Sequence, residues 1–219
     1  MNTVGVLVSG GLDSCILLGH LAALGHPVQP FYVRAGLRWE GEEMESVRRF
    51  CDALKHDSVA GLKTFELPCT DLYGRHWSTT GECVPDAHSA DDAVFLPGRN
   101  ALLLLKPALW CRMHRIPELA LGVLGTNPFP DATPMFFATF EAMVAQATGG
   151  CVRIVRPLGE LTKREAMELG RSMPLEHSFS CINPVEGLHC GRCNKCAERR
   201  EAFAAVDMSD PTKYASVGP

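Results

Sequence analysis

Near the amino end, residues 4–8 form a short apolar, β-branched run that stops at Ser9-Gly10-Gly11. The apolar positions after it, Cys15, Leu17, Leu18, Leu21 and Leu24, fall at helical spacing. A strand that turns on two glycines into a helix constrains the fold more than any other feature, because it opens a βα unit whose next strand must run parallel and be reached by a crossover. Gly25 and Pro27 end that helix and residues 28–33 read as the second strand. Residues 40–54 read as a polar helix with Met44, Val47, Phe50, Cys51 and Leu54 on one face. Residues 63–67 are a third strand, 99–114 an apolar helix, 118–124 a buried strand, 134–148 a helix, 152–155 a fifth strand and 162–172 a short helix, with a last helix over 197–206. Between them, residues 68–96 are rich in turn-formers and are expected to be an ordered functional loop with a short helix.

This alternation predicts an α/β protein with a doubly wound, mostly five-stranded parallel sheet, both faces covered by helices and ligands beyond the carboxyl ends of the strands. A chain of 219 residues closes one sizeable core but not two. The expected division is a nucleotide-binding α/β domain over 1–175 and a metal-binding segment over 176–219 packed on it.

Composition narrows the function classes. No apolar run approaches the roughly 20 residues of a membrane span, and no basic segment precedes the first apolar stretch. No membrane association is expected. The formal net charge of −4 argues against a broad phosphate-binding surface, so nucleic acid is not the expected partner. Ten cysteines in a chain of this size without a secretory signal fit reduced thiols and a cytoplasmic protein.

The hexapeptide Ser9, Gly10, Gly11, Leu12, Asp13, Ser14 sits where a strand ends and a helix begins. Glycines permit the backbone to wrap an anion with inward amides, the helix end adds a positive field, and Ser9 and Ser14 add hydroxyl donors. It is neither GxGxxG nor GxxxxGK[ST], and no lysine accompanies it, so charge compensation must come from elsewhere. Asp13 is a candidate Mg2+ ligand. As a bare turn it reads equally as a tight βα connection with a capping serine.

At the other end, Cys181, Cys190, Cys193 and Cys196 form a Cx8CxxCxxC array, and Gly191 lets the chain turn between them. Four thiolates with no open position predict structural Zn2+, with a redox pair or an iron–sulfur cluster as alternatives.

SGGLDS resembles the SGGxDS signature of the PP-loop ATP pyrophosphatases, which split ATP between its α and β phosphates and adenylate a substrate. With PGRN at 97–100, a Pro-Asp-x-x-Pro loop at 130–134, LTKRE at 161–165 and the cysteine tail in the same order, the chain resembles the QueC family of that superfamily from residue 4 to about 203. The resemblance implies an adenine nucleotide alpha hydrolase-like fold and an ATP-dependent ligase. Such an enzyme activates 7-carboxy-7-deazaguanine or a related acid and uses ammonia to make an amide and then a nitrile, with a four-cysteine zinc site and a homodimer. The 9–14 turn would then hold ATP phosphates, with Asp13, Arg99 and Lys163 as catalytic candidates and Arg99, Asn100 and Asp131 at the acid. Lys163 would supply the missing positive charge. Arg99 also reads as an arginine capping or pairing nearby, LTKRE as a solvated helix capped by Thr162, and Asp131 as a turn former. The loop departs from the family's usual Tyr-Pro-Asp-Cys-Arg-Pro, reading Phe129-Pro130-Asp131-Ala132-Thr133-Pro134.

Two other functions fit parts of the sequence. A sulfur transferase acting on an adenylated nucleobase would need a reactive thiol in the cleft, for which Cys69 and Cys83 are candidates. A non-catalytic zinc-stabilised binding module would use Arg192, Lys195, Arg199 and Arg200 as a basic face.

Overall fold

The computed structural model describes residues 1–215, so the last four residues of the expected 176–219 segment lie outside the described residues. Five strands, β1 (Val4–Leu7), β2 (Val28–Arg34), β3 (Lys63–Glu66), β4 (Glu118–Leu121) and β5 (Arg153–Val155), form one sheet in the order β3-β2-β1-β4-β5. Every pairing is parallel: Val4 stands opposite both Val28 and Glu118, so β1 is the central strand and is buried along its length. The order reverses between β1 and β4, the switch point at which a crevice opens beyond the strand ends.

Helices cover both faces, as right-handed crossovers require. On one face α1 (Leu12–Ala23) and α2 (Glu40–Leu54) pack with α7 (Lys163–Leu169) and α8 (Asn194–Ala204) around Ile16, Leu17, Phe50, Met167 and Phe203. On the other face α5 (Arg99–Met113) and α6 (Pro134–Thr148) pack around Phe31, Leu104, Leu119 and Phe140. A third cluster caps the carboxyl edge, where Leu37, Trp39, Val94 and Leu96 meet Phe179, Ile182 and the cysteine tail.

Residues 68–96 carry two one-turn helices, α3 (Thr70–Tyr73) and α4 (Trp77–Thr80), and a 3₁₀ turn at Asp91–Val94. Most boundaries differ from the sequence reading by a residue or two, and three shifts have a visible cause. The fourth strand ends at Leu121 rather than 124, because from Gly122 onward the chain leaves the sheet to wall the crevice. The last helix starts at Asn194 rather than 197, because Cys193 is its N-cap and the cysteine loop runs straight into it. The helix after β5 stops at Leu169, where Gly170 lies too close to Ile16 for a side chain. Among the described residues, no helix is long and apolar enough to cross a membrane.

Candidate active site

The crevice at the switch point is a cavity of about 280 Å3. The 9–14 turn enters it directly from β1. Gly10 holds φ +80°, a conformation open to glycine at no steric cost, and a side chain there would press on the Glu43 backbone. Ser14 Oγ accepts from the Ser9 amide at 3.1 Å and donates to the Gly11 carbonyl at 3.1 Å, which closes the turn on itself. No side chain caps α1, so its first-turn amides are left for a ligand. By contrast α6 is capped by Thr133 and α7 by the reciprocal Thr162–Glu165 pair. The amino end of α1 opens on the cavity straight from the glycine turn, an arrangement suited to an anion.

Lys163 stands at the first position of α7 and turns inward. Its Nζ donates to both carboxylate oxygens of Asp13 at 2.9 Å and to Glu198 of α8 at 3.3 Å, while Lys195 pairs with the same Glu198. Burial alone would lower the Lys163 ammonium; Asp13 and Glu198 outweigh it and hold it above the ordinary lysine value. Glu198 is pushed up by burial and pulled down further by Lys195 and Lys163, so it is held ionised. Lys163 reaches the 9–14 turn through Asp13 while Thr162 caps its helix, so the two readings of LTKRE describe different side chains of one turn.

Arg99 and Asn100 open α5 and both line the cavity. Asp131 does not line it. Its carboxylate, 7% exposed, accepts from the Asn100 amide at 2.9 Å, and its carbonyl accepts from Asn100 Nδ2 at 2.9 Å. Asp131 therefore clamps the first turn of α5, which aims Arg99. Among the described residues no carboxylate pairs with Arg99, and its buried Nε has no partner.

Sequence reasoning missed the opposite wall, built by Tyr32, Trp39 and Glu43. Burial raises the Glu43 carboxyl to about 7, against the lowering pull of Arg99 and of the Tyr32 hydroxyl, which donates to it at 3.0 Å. Nothing in the run Glu40 to Glu45 distinguishes Glu43 from its acidic neighbours; only the facing of α2 against β2 selects it. Lys195 and Glu198 were missed as site residues for the same reason.

The four cysteines converge. Their sulfurs all lie within 4.8 Å of one another, with Cys181–Cys193 at 3.9 Å and Cys190–Cys196 at 4.0 Å. A tetrahedral ion about 2.3 Å from each sulfur sets them roughly 3.8 Å apart, so the set fits zinc. Amides of Asn183 and Cys190 donate to Cys181 Sγ, and that of Cys193 to Cys190 Sγ, which favours thiolates there. The same segment supplies Phe179, Ser180 and Ile182 to the cavity, so the cysteine site fixes one of its walls. His189, beside Cys190, is lowered to about 3 by burial and by Arg199, and its Nε2 accepts from the Ser180 amide.

Other candidates fall elsewhere. Cys69 is buried with its thiol on the Leu67 carbonyl and its acidity reduced by burial; Cys83 is exposed; neither lines the cavity. Arg199 is 1% exposed and donates to Ser178, Ser180 and the Leu175 carbonyl, while Arg200 lies over Tyr214. The four basic residues therefore do not make a common solvent-facing surface.

A parallel sheet in this order, an uncapped glycine turn at its switch point and an inward lysine define an α/β nucleotide-binding protein of the PP-loop type. The solved structures it resembles agree on the fold. A 4-thiouridine synthetase–RNA complex with bound ATP superposes with TM-score 0.53 at 15% identity, covering 94% of this chain and 50% of that one. A structure described as a predicted subunit of tRNA methyltransferase from Methanocaldococcus jannaschii gives TM-score 0.50 at 14% identity over 78% and 75%. The chain belongs to the family of the queuosine biosynthesis protein QueC, whose profile matches residues 3–207. Relatives named 7-cyano-7-deazaguanine synthase include that of Anaeromyxobacter dehalogenans, 31% identical over 96% of this chain and 94% of its own. The one from Sphingopyxis alaskensis, named 7-cyano-7-deazaguanine synthase 1, is 32% identical over 98% and 99%.

Proposed function

We propose that the chain is an ATP-dependent carbon–nitrogen ligase that makes 7-cyano-7-deazaguanine, the preQ0 of queuosine biosynthesis, from 7-carboxy-7-deazaguanine or a closely related acid. The observation that carries this reading is the family match over residues 3–207 on a cavity where the 9–14 turn and Lys163 meet.

In this reading the turn amides, Ser9 and Ser14 hold the ATP phosphates. A carboxylate oxygen of the acid attacks the α-phosphorus, the bond to pyrophosphate breaks, and an acyl-adenylate forms. Ammonia then attacks the acyl carbon, AMP leaves, and the nitrogen loses a proton to give the amide. The amide oxygen then attacks the α-phosphorus of a second ATP, pyrophosphate leaves, and loss of AMP and two protons gives the nitrile. Lys163 exchanges Asp13 for phosphate oxygens and steadies the charge that develops as pyrophosphate departs. Asp13, thus freed, is the carboxylate best placed to hold Mg2+, which supplies charge neutralisation on the phosphates. Arg99 adds a second cation from α5, and Asn100 with Asp131 keeps it in place. Zn2+ held by Cys181, Cys190, Cys193 and Cys196 has a structural role. The reading carries with it free ammonia as nitrogen source, a homodimer and a cytoplasmic location.

Against a sulfur transferase, no cysteine lines the cavity among the described residues. The test is product analysis with purified protein, ATP, ammonium and 7-carboxy-7-deazaguanine. Acid-dependent AMP and pyrophosphate with the amide and nitrile are expected; ADP without AMP overturns the chemistry.

A further inference from the structure

A second cavity, of about 440 Å3, adjoins the first. Asp13, Gly122, Asn127, Lys163, Lys195 and Glu198 line both, so the ion-pair network of Lys163 is the partition between them. Beyond the partition the second cavity is walled by the loop after β4, including Phe129, by Ala87 and Ser89, and by α8. The 87–89 stretch is tied to the start of α8 by the Asp86–Cys193 bridge and by the Ala87 amide on the Arg192 carbonyl.

Three observations give this cavity a chemistry. Phe129 offers an aromatic surface, itself braced by Phe95 at 5.1 Å. Asn194 at the start of α8 is only 6% exposed; its Nδ2 donates to the Ser89 carbonyl at 3.0 Å, and its Oδ1 has no partner. A buried carbonyl oxygen without a donor is costly unless a ligand supplies one. Glu201, exposed on the same helix, adds a carboxylate to the same wall. The far end holds the cations Lys163 and Lys195.

We propose that the second cavity is the acceptor-acid subsite: it takes a flat heteroaromatic acid with its ring by Phe129, its N–H edge toward Asn194 and Glu201, and its carboxylate at the Lys163–Lys195 partition. The nucleotide occupies the first cavity. Because Lys163 touches both, the attacking oxygen and the α-phosphorus meet at the one place the two cavities share. This rests on the ligase reading, and it moves acid recognition from Asp131, which is spent on α5, to α8.

The test is calorimetry on full-length, zinc-loaded protein, measuring ATP alone and then 7-carboxy-7-deazaguanine in the presence of α,β-methylene-ATP. Ala197→Phe places a ring in the second cavity only; zinc content and thermal unfolding report its integrity. Its acid Kd should rise at least tenfold while its ATP Kd stays within twofold of wild type. Glu201→Gln, at an exposed position whose change leaves packing alone, should weaken the acid severalfold and leave ATP unchanged. Acid affinity unchanged in both variants overturns the subsite and leaves the ligase reading standing. Wild-type protein that binds ATP but not the acid overturns both.

Discussion

Replacing Gly122 with alanine should damage the nucleotide site from the wall that backs the 9–14 turn. A β-carbon on Gly122 would stand 2.8 Å from the Asp13 carbonyl carbon, 2.9 Å from its oxygen and 2.9 Å from the Ser14 nitrogen. All three atoms are backbone in the first turn of α1, so no side chain can swing aside. Overpacking of this kind costs about 1–3 kcal/mol, which in a domain of this size lowers Tm by about 2–12 °C. The relief available is to push the turn away from β4 and out of register with the phosphates. Loss of one hydrogen bond to a charged oxygen, about 1.5–3 kcal/mol, weakens ATP by roughly ten- to a hundredfold. Gly41→Ala in α2, with no atom within 4 Å of the added carbon, is the matched control and should lose neither stability nor affinity. Calorimetry of ATP binding and thermal unfolding on both variants check this. A Gly122→Ala protein with wild-type Tm and ATP affinity would refute the claim that close approach of the residue following β4 sets the turn.

Lys163→Met should reduce acid-dependent pyrophosphate release about a hundredfold or more, with Tm moved by a few degrees at most because the pair it breaks is partly solvated; a mild loss of turnover would deny Lys163 its role. Cys193→Ser should lower bound zinc, measured by atomic absorption, below one per chain and cut both Tm and ATP affinity, since residues 179–182 wall the cavity from the same segment; full ATP affinity in the zinc-free protein would uncouple the two sites. Glu43 has its carboxyl raised from 4.5 to about 7, chiefly by burial. The folded state thus binds more protons than the unfolded one across that window, and the stability of wild type relative to Glu43→Gln should fall as pH rises from about 4.5 to about 7. Denaturant titrations of the pair at several pH values read the difference, and a rise over that range contradicts the buried carboxyl.

The βα alternation was legible because most strands are short runs closed within a few residues by glycine or proline, and the longer helices carry apolar positions at helical spacing. Sheet order was not, since nothing local in residues 118–121 says that they pair with residues 4–7. The 9–14 turn and the cysteine array stood out as candidates because backbone geometry and metal spacing mark them in contiguous motifs, whereas Lys163 was singled out by the LTKRE resemblance. Asp131 shows the limit: a carboxylate between prolines suits a ligand or a helix start equally, and only the fold puts the α5 amides in front of it. Glu43, Lys195, Glu198 and Asn194 stayed hidden because each depends on which face of its helix meets a neighbour.

The placement of β1 at the middle of the sheet has a consequence for biosynthesis. Its residues are made before those of the other strands, yet one of its flanks is not covered until Glu118–Leu121 appears, with Val4 opposite Glu118. At roughly 5–20 residues per second the nascent Val4–Leu7 segment waits about 6–23 seconds for that neighbour. During the delay a bare apolar edge sits near the ribosome exit, the kind of surface that slows acquisition of structure and invites chaperones. Overproduction in a heterologous host should therefore be more sensitive to translation speed and chaperone supply than the stability of the finished protein would suggest.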